Sequence, residues 1–409
     1  MSESSWVPGA DGSGFGLQNL PYGAVARHGR EPRLAVRVGD HALLLGVLEE
    51  AGLLARAGLP AGTLGGPLLN PLLALGRPAW SALRAQLREL LSDAANGRAT
   101  VQTALVPLAE LEPRLPFAVG DYVDFYSSIE HASNLGRMFR PDSDPLLPNW
   151  RRLPVGYHGR ASSVVVSGTP VRRPHGQLPP AEAGGEPSFG PTRRLDIELE
   201  LGFVTGPGNP LGTSIAAADA ADHVFGFVLV NDWSARDVQR WEYQPLGPFL
   251  GKSFATSVSP WVVPLEALDP FRVPAPAQDP APLPYLRTDG SWGLDIALEV
   301  ELEGAVVSRT NSSGLYWTFP QQLAHATANG TNARPGDLYA SGTISGPEPG
   351  TYGSLIELTW GGRDPLAVGN GSQRTFLEDG DTVVLRGWCG PREAPSVSFG
   401  EVRGTIAPA

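Results

Sequence analysis

The sequence predicts a mainly β protein with some helix, organised as two domains. Three observations carry that expectation. Fifty glycines and forty prolines among 409 residues fall between short runs rich in Val, Leu, Ile and Phe, where they read as turns between strands and not as a disordered tract. From Val119 onward such runs recur at short intervals. In the first segment, by contrast, one stretch has a convincing helical period.

Taken in order, residues 34–38 and 42–48 are strand-like runs across a Gly39-Asp40 turn. Trp80, Leu83, Leu87, Leu90 and Leu91 then recur at helical spacing behind Pro78, with Asn96-Gly97 as the stop. This segment shows no titratable cluster, so a structural or dimer-positioning role is expected of it. The Pro-punctuated stretch 108–117 marks a boundary, giving domains over 1–117 and 118–409. Beyond it, runs at 163–166, 195–204, 224–230, 294–302, 355–360 and 382–385 are the strand candidates of one large domain.

Composition narrows the function. A net charge of -11 argues against a nucleic-acid partner, which calls for clustered Lys and Arg. The one cysteine, Cys389, leaves no intramolecular disulfide and no multi-thiolate metal site. The first residues lack the basic and apolar regions of a secretory leader, and the apolar stretch 42–75 is broken by Glu49, Glu50, Arg56 and Pro60. A soluble, cytoplasmic protein is therefore expected, with no membrane partner.

The segment LDIELEL (195–201) alternates strictly, so on a strand Asp196, Glu198 and Glu200 face one way and the leucines and Ile197 the other. Taken alone, that pattern is read first as a solvated outer strand face. Asp232, however, ends the apolar run VFGFVLVN, and Asp124 lies in the aromatic setting DYVDFY. Acids in such surroundings need a counter-ion. Oxygen-only donors point to a hard cation, Ca²⁺ or Mg²⁺ before Mn²⁺, with zinc a poor match.

DFYSSIEHASNLGRMFR (124–140) brings Tyr126, His131 and Arg140 within about one helix length. Ser127-x-x-Glu130 reads as a capping box, placing His131 in the first helical turn, where the positive helix end favours its neutral, proton-accepting form. His158 in VGYHGR competes for the same role on composition alone. Further on, Asp232, Arg236, Gln239 and Tyr243 share one face if 232–243 is helical, and Gly251-Lys252 suggests a close backbone approach that delivers a charge to a pocket. Two nucleotide-loop look-alikes fail on spacing: GPFLGKS has one residue too few between its glycines and Gly206, Gly208, Gly212 one too many.

The strings DYVDFYSSIEHASNLGRMFR, LPNWRRLPVGYHGRASSVVVSGTPVRRP, LDIELELGFVTGPGN, FGFVLVNDWSARDVQRWEYQPLGPFLGKSFATSVSPWVVP, RPGDLYASGTISG and RTFLEDGD span most of residues 119–380. In them the chain resembles the fumarylacetoacetase family. That resemblance implies an SH3-like β-barrel followed by a β-roll, a homodimer, and a hydrolase that splits a carbon–carbon bond in a β-diketo acid, at the end of tyrosine and phenylalanine breakdown. It implies a Ca²⁺ or Mg²⁺ site at Asp124, Glu198, Glu200 and Asp232, and a second cation, Mg²⁺, near Asp232, Lys252 and Thr256. His131 falls on the general base and Glu357 on the carboxylate that orients it. Arg236, Gln239 and Lys252 fall on groups that stabilise the oxyanion, and Tyr126, Arg140, Tyr157, Gln239, Tyr243 and Thr343 on substrate contacts. One departure from the family pattern is Ile129-Glu130, where a basic and an amide residue precede the histidine. Sister activities of the superfamily, such as acylpyruvate hydrolysis or β-keto acid decarboxylation, and a catalytically silent metal-binding protein are the alternatives.

Overall fold

The computed structural model describes residues 4–95, 98–182, 184–369 and 371–409. It is mainly β with some α. In the first segment the strands β1 (Tyr22–Ala26), β2 (Arg33–Val38) and β3 (His41–Leu44) meet in antiparallel register. Gly39, at φ +54°, makes the β2–β3 turn, and a Cβ there would lie 2.8 Å from the Gly9 carbonyl carbon. The expected strand 42–48 runs only to Leu44. From Leu45 the chain coils into α1 (Leu45–Glu50), because a helical turn lets Leu45 and Leu48, three apart, enter the core together.

The periodic stretch forms α2 (Arg77–Leu91), with Trp80, Leu83, Leu87 and Leu91 buried and Pro78 in its first turn. The expected stop, Asn96-Gly97, lies outside the described residues. Strands β4 (Leu105–Pro107) and β5 (Glu112–Arg114) complete the segment, so the Pro-punctuated stretch is itself in part a strand, paired to β1.

Beyond it come β6 (Tyr122–Phe125), α3 (Ile129–Phe139), β7 (Gly156–His158), β8 (Val164–Val166), β9 (Val171–Arg172), β10 (Leu195–Asp196), β11 (Leu199–Thr205) and β12 (Val224–Asp232). They are followed by β13 (Ser234–Ala235), α4 (Arg236–Glu242), β14 (Thr256–Val258), β15 (Trp261–Pro264), β16 (Ala297–Leu302), β17 (Ala305–Asn311), β18 (Leu338–Ala340), α5 (Leu355–Leu358), β19 (Thr382–Cys389) and β20 (Val397–Ala407). One sheet runs β4-β3-β2-β1-β15-β12-β11-β18-β6-β7, so the first segment's strands continue directly into the second's through β1 and β15. A second sheet runs β17-β16-β19-β20-β9.

Strand β12 is buried along its whole length because it packs on both faces. Phe227 and Leu229 point into the core shared with the second sheet; Val228 and Val230 point into the core shared with the first segment. The same alternation sets Asp124, Glu200 and Asp232 on one side of neighbouring strands, in register through Ala340↔Asp124, Gly202↔Ala340 and Glu200↔Val230.

Two further expectations are corrected here. The run 355–360 is not a strand: residues 355–358 form the turn of helix α5, whose first N–H groups are met by Asp196. Helix α4 starts at Arg236, so Asp232 ends a strand and shares no helical face with Gln239 and Tyr243.

Candidate active site

Asp124, Glu198, Glu200 and Asp232 are all buried, and each offers a carboxylate oxygen within 4.8 Å of the others. The expected run of three alternating acids is broken. Strand β10 pairs with β13 apart from the large sheet, which the chain enters at Leu199, so Asp196 stands away from the cluster. Lys252 Nζ donates to Asp232 Oδ2 at 2.7 Å and to Glu198 Oε2. Thr256 Oγ1 and Tyr157 OH donate to Asp232 at 2.9 and 2.8 Å. Asp124 Oδ1 and both Glu200 oxygens are buried without a hydrogen-bond donor. Orphaned acceptors in an all-oxygen set fit a hard divalent cation.

Electrostatics split the cluster in two. Burial pushes Asp124 well above the ordinary carboxylate range, and the charge of Asp232 adds to it. Burial raises Glu200 likewise, with Asp124, Glu198 and Asp232 pushing the same way. Burial acts on Glu198 too, but the cations Lys252 and Arg236 outweigh it and hold that carboxyl below its ordinary range.

Beside the acids, His131 Nδ1 lies 2.6 Å from Glu357 Oε2, and its Nε2 lies 4.0 Å from Glu198 Oε1. The helix cap is Ser128, whose hydroxyl accepts the His131 N–H at 3.3 Å, one residue later than the expected Ser127. Ser127 instead accepts from Gln322 at 2.7 Å. His131 still falls in the first turn of α3. Glu357 takes donors from Ser345 (2.9 Å), Ser354 (2.7 Å) and Asn134 (2.9 Å). Burial raises its pKa, yet His131 and these donors outweigh burial and keep it below the ordinary range. His158, the competitor, is exposed on β7.

Arg236 is pinned by Nε to Asp196 (2.7 Å) and by Nη1 to Glu198 (2.7 Å) and Gln239 (3.2 Å), while its Nη2 is buried with no partner. Gly251 makes the expected close approach: a Cβ there would lie 2.8 Å from the Gln239 nitrogen. A cavity of about 360 Å³ is lined by Asp124, Tyr126, His131, Arg140, Tyr157, Glu198, Arg236, Gln239, Tyr243, Lys252 and Thr343. Glu200, Asp232, Thr256 and Glu357 stand behind that wall. Arg140 Nε and Thr343 Oγ1 are buried and unpartnered, so both can meet a ligand. Sequence reasoning passed over Asn134, Ser345, Ser354 and the separate place of Asp196. Asn134, one helical turn after His131, and Ser354, three residues before Glu357, carried a sequence signal.

Scaffold and site define a β-rich enzyme of hydrolytic type with a candidate centre for a hard divalent cation. Residues 18–116 match the family model described as Fumarylacetoacetase N-terminal, and residues 122–407 that described as Fumarylacetoacetate (FAA) hydrolase C-terminal. The chain is 48% identical to the fumarylacetoacetase of Homo sapiens over 99% of each chain. It is 49% identical to that of Arabidopsis thaliana over 99% of this chain and 98% of the relative. Among solved structures, a fumarylacetoacetate hydrolase from Exiguobacterium antarcticum shares the fold at a TM-score of 0.56 and 15% identity, covering 95% of this chain and 99% of its own. The chain belongs to the fumarylacetoacetase family.

Proposed function

We propose that this protein hydrolyses the carbon–carbon bond of 4-fumarylacetoacetate to fumarate and acetoacetate, the last step of tyrosine and phenylalanine catabolism. The observation that carries this reading is the His131–Glu357 pair set beside four converging buried acids, with His131, Asp124 and Glu198 facing one cavity and the others directly behind them. Asp124, Glu198, Glu200 and Asp232 hold the primary cation, Ca²⁺ or Mg²⁺. A second cation, Mg²⁺, would be held near Asp232, Lys252 and Thr256, with Lys252 able to offer it main-chain oxygen only, because an ammonium has no lone pair to give. A bound divalent cation polarises the diketone oxygens and stabilises enolate charge.

The chain's own groups do the rest. Glu357 holds the proton on His131 Nδ1, which leaves Nε2 to take one from water, a contribution of about 10²- to 10⁴-fold. Arg236 Nη2, Gln239 and the remaining N–H of Lys252 receive the oxyanion. Arg140 Nε binds the substrate carboxylate, and Tyr126, Tyr157, Tyr243 and Thr343 frame the chain of the substrate. Tyr157 also steadies Asp232.

The same reading includes domains over 1–117 and 118–409, an SH3-like barrel and a β-roll, and a cytoplasmic homodimer. Among the described residues no helix is long and apolar enough to cross a membrane. The test is loss of diketo-acid absorbance on mixing with fumarylacetoacetate, in wild type and His131→Ala, with and without chelator. Turnover abolished by both is expected; no turnover by the wild type with Ca²⁺ or Mg²⁺ present overturns the reading.

A further inference from the structure

Among the buried carboxylates to which the proposed reaction gives no task, Asp196 is the one bonded to the site's own Arg236. Its Oδ1 accepts the N–H groups of Ile197 and Leu355, each at 2.7 Å. Its Oδ2 accepts Ile356 N–H at 3.1 Å and Arg236 Nε at 2.7 Å. Leu355 and Ile356 open α5, the turn that carries Glu357. A helix's first free N–H groups are ordinarily met by the N-cap side chain. Here Ser354 holds that position and makes no cap bond, because its hydroxyl donates to Glu357 Oε2. Asp196 caps the turn in its place, from a strand far away in sequence, and so frees Ser354 to fix the carboxylate that fixes His131.

On its other side the same carboxylate takes Nε of Arg236. That sets the guanidinium plane so that Nη1 reaches Glu198 and Gln239 while Nη2 stays free. With both oxygens occupied, and outside the set of four converging acids, Asp196 is not a further cation ligand. We propose that Asp196 is a positioning residue for both halves of the reaction, orienting Arg236 and the Glu357–His131 pair through one carboxylate. The inference rests on the hydrolase reading above.

Asp196→Asn keeps the side chain's size and one accepting oxygen but opposes Arg236 or the α5 N–H groups with an amide donor. Expected is a fall in kcat of about 100-fold, the scale of losing one oxyanion donor, with KM and Ca²⁺ affinity each within about threefold. Rescue separates positioning from mere structure. Guanidinium added to Arg236→Ala should restore part of its kcat, and should restore none in Arg236→Ala/Asp196→Asn, since the carboxylate docks the free cation. If Asp196→Asn does not fold, Asp196→Ser, which also lacks the carboxylate, replaces it in both measurements, with the same pattern expected. An inactive wild type counts against the hydrolase reading alone. With an active wild type, unchanged kcat per folded molecule, or guanidinium rescue equal with and without Asp196, overturns the proposal.

Discussion

Replacing Glu357 by Gln tests the base without touching the cavity wall, because Glu357 stands behind His131 and does not line the cavity. Gln is nearly the same size, and its carbonyl can still accept from Nδ1, so the histidine keeps its tautomer. What is lost is the negative charge that stabilises the imidazolium as water gives up its proton. Unit charges about 4 Å apart attract by about 4 kcal/mol at an effective dielectric near 20. At roughly 1.4 kcal/mol per tenfold in rate this amounts to about 10³ in kcat. The amide also brings a donor to an environment made of donors, since Ser345, Ser354 and Asn134 all point hydrogen atoms at the present carboxylate. Steady-state kinetics on the diketo acid should show kcat reduced by about 10²- to 10⁴-fold and KM nearly unchanged. A Glu357→Gln enzyme with kcat within about threefold of wild type, or one whose whole loss lies in KM, refutes the assignment of His131 as a base steered by Glu357.

Further outcomes follow from the same geometry. Glu200→Gln should weaken Ca²⁺ binding beyond the roughly 10- to 100-fold typical of an outer-shell change, while raising the melting temperature of the ion-free protein, because it removes an acid with no donor; calorimetry with and without chelator reads both. Asp124 and Glu200 keep their protons to higher pH folded than unfolded, so in the window above about pH 4 the ion-free native state binds more protons and its stability falls as pH rises. Ca²⁺ binding should accordingly tighten with pH and release protons, visible as a dependence of binding heat on buffer ionisation enthalpy; heat independent of buffer would contradict it. Leu87→Ala, deep in the α2 interface, should cost about 2–5 kcal/mol in denaturant unfolding and leave kcat per folded molecule unchanged.

The legible parts of this fold were those where one local period decides. Helix α2 was visible because Leu83, Leu87 and Leu91 repeat on one stripe, and β12 because it is apolar on both faces. Where a distant group intervenes, period fails. The Ser354-x-x-Glu357 spacing is a local helix start, but its two side chains bond each other, and the first N–H groups of 355–358 are met by Asp196 from another strand. The alternation of 195–201 likewise implied three acids on one face, and the break after Asp196 sends one of them elsewhere. The site followed the same rule. Asp124, Glu200 and Asp232 were recognisable as acids in apolar settings, but their meeting depends on the register of β6, β18, β11 and β12, which no single segment encodes.

Charge balance links the acid cluster to its cation. Of the four acids, Glu198 and Asp232 already have Lys252, and Glu198 also has Arg236, whose charge is shared with Asp196. Asp124 and Glu200 have no cation of their own, and burial pushes just these two carboxyls far up. Two acids held in their protonated form carry the same charge correction as one divalent ion. A divalent ion replacing a proton on each of these two acids would leave the surrounding field nearly unchanged. The same balance sets a stoichiometry: near the pH where both acids are still protonated, binding one Ca²⁺ should release close to two protons, whereas a monovalent ion could displace only one.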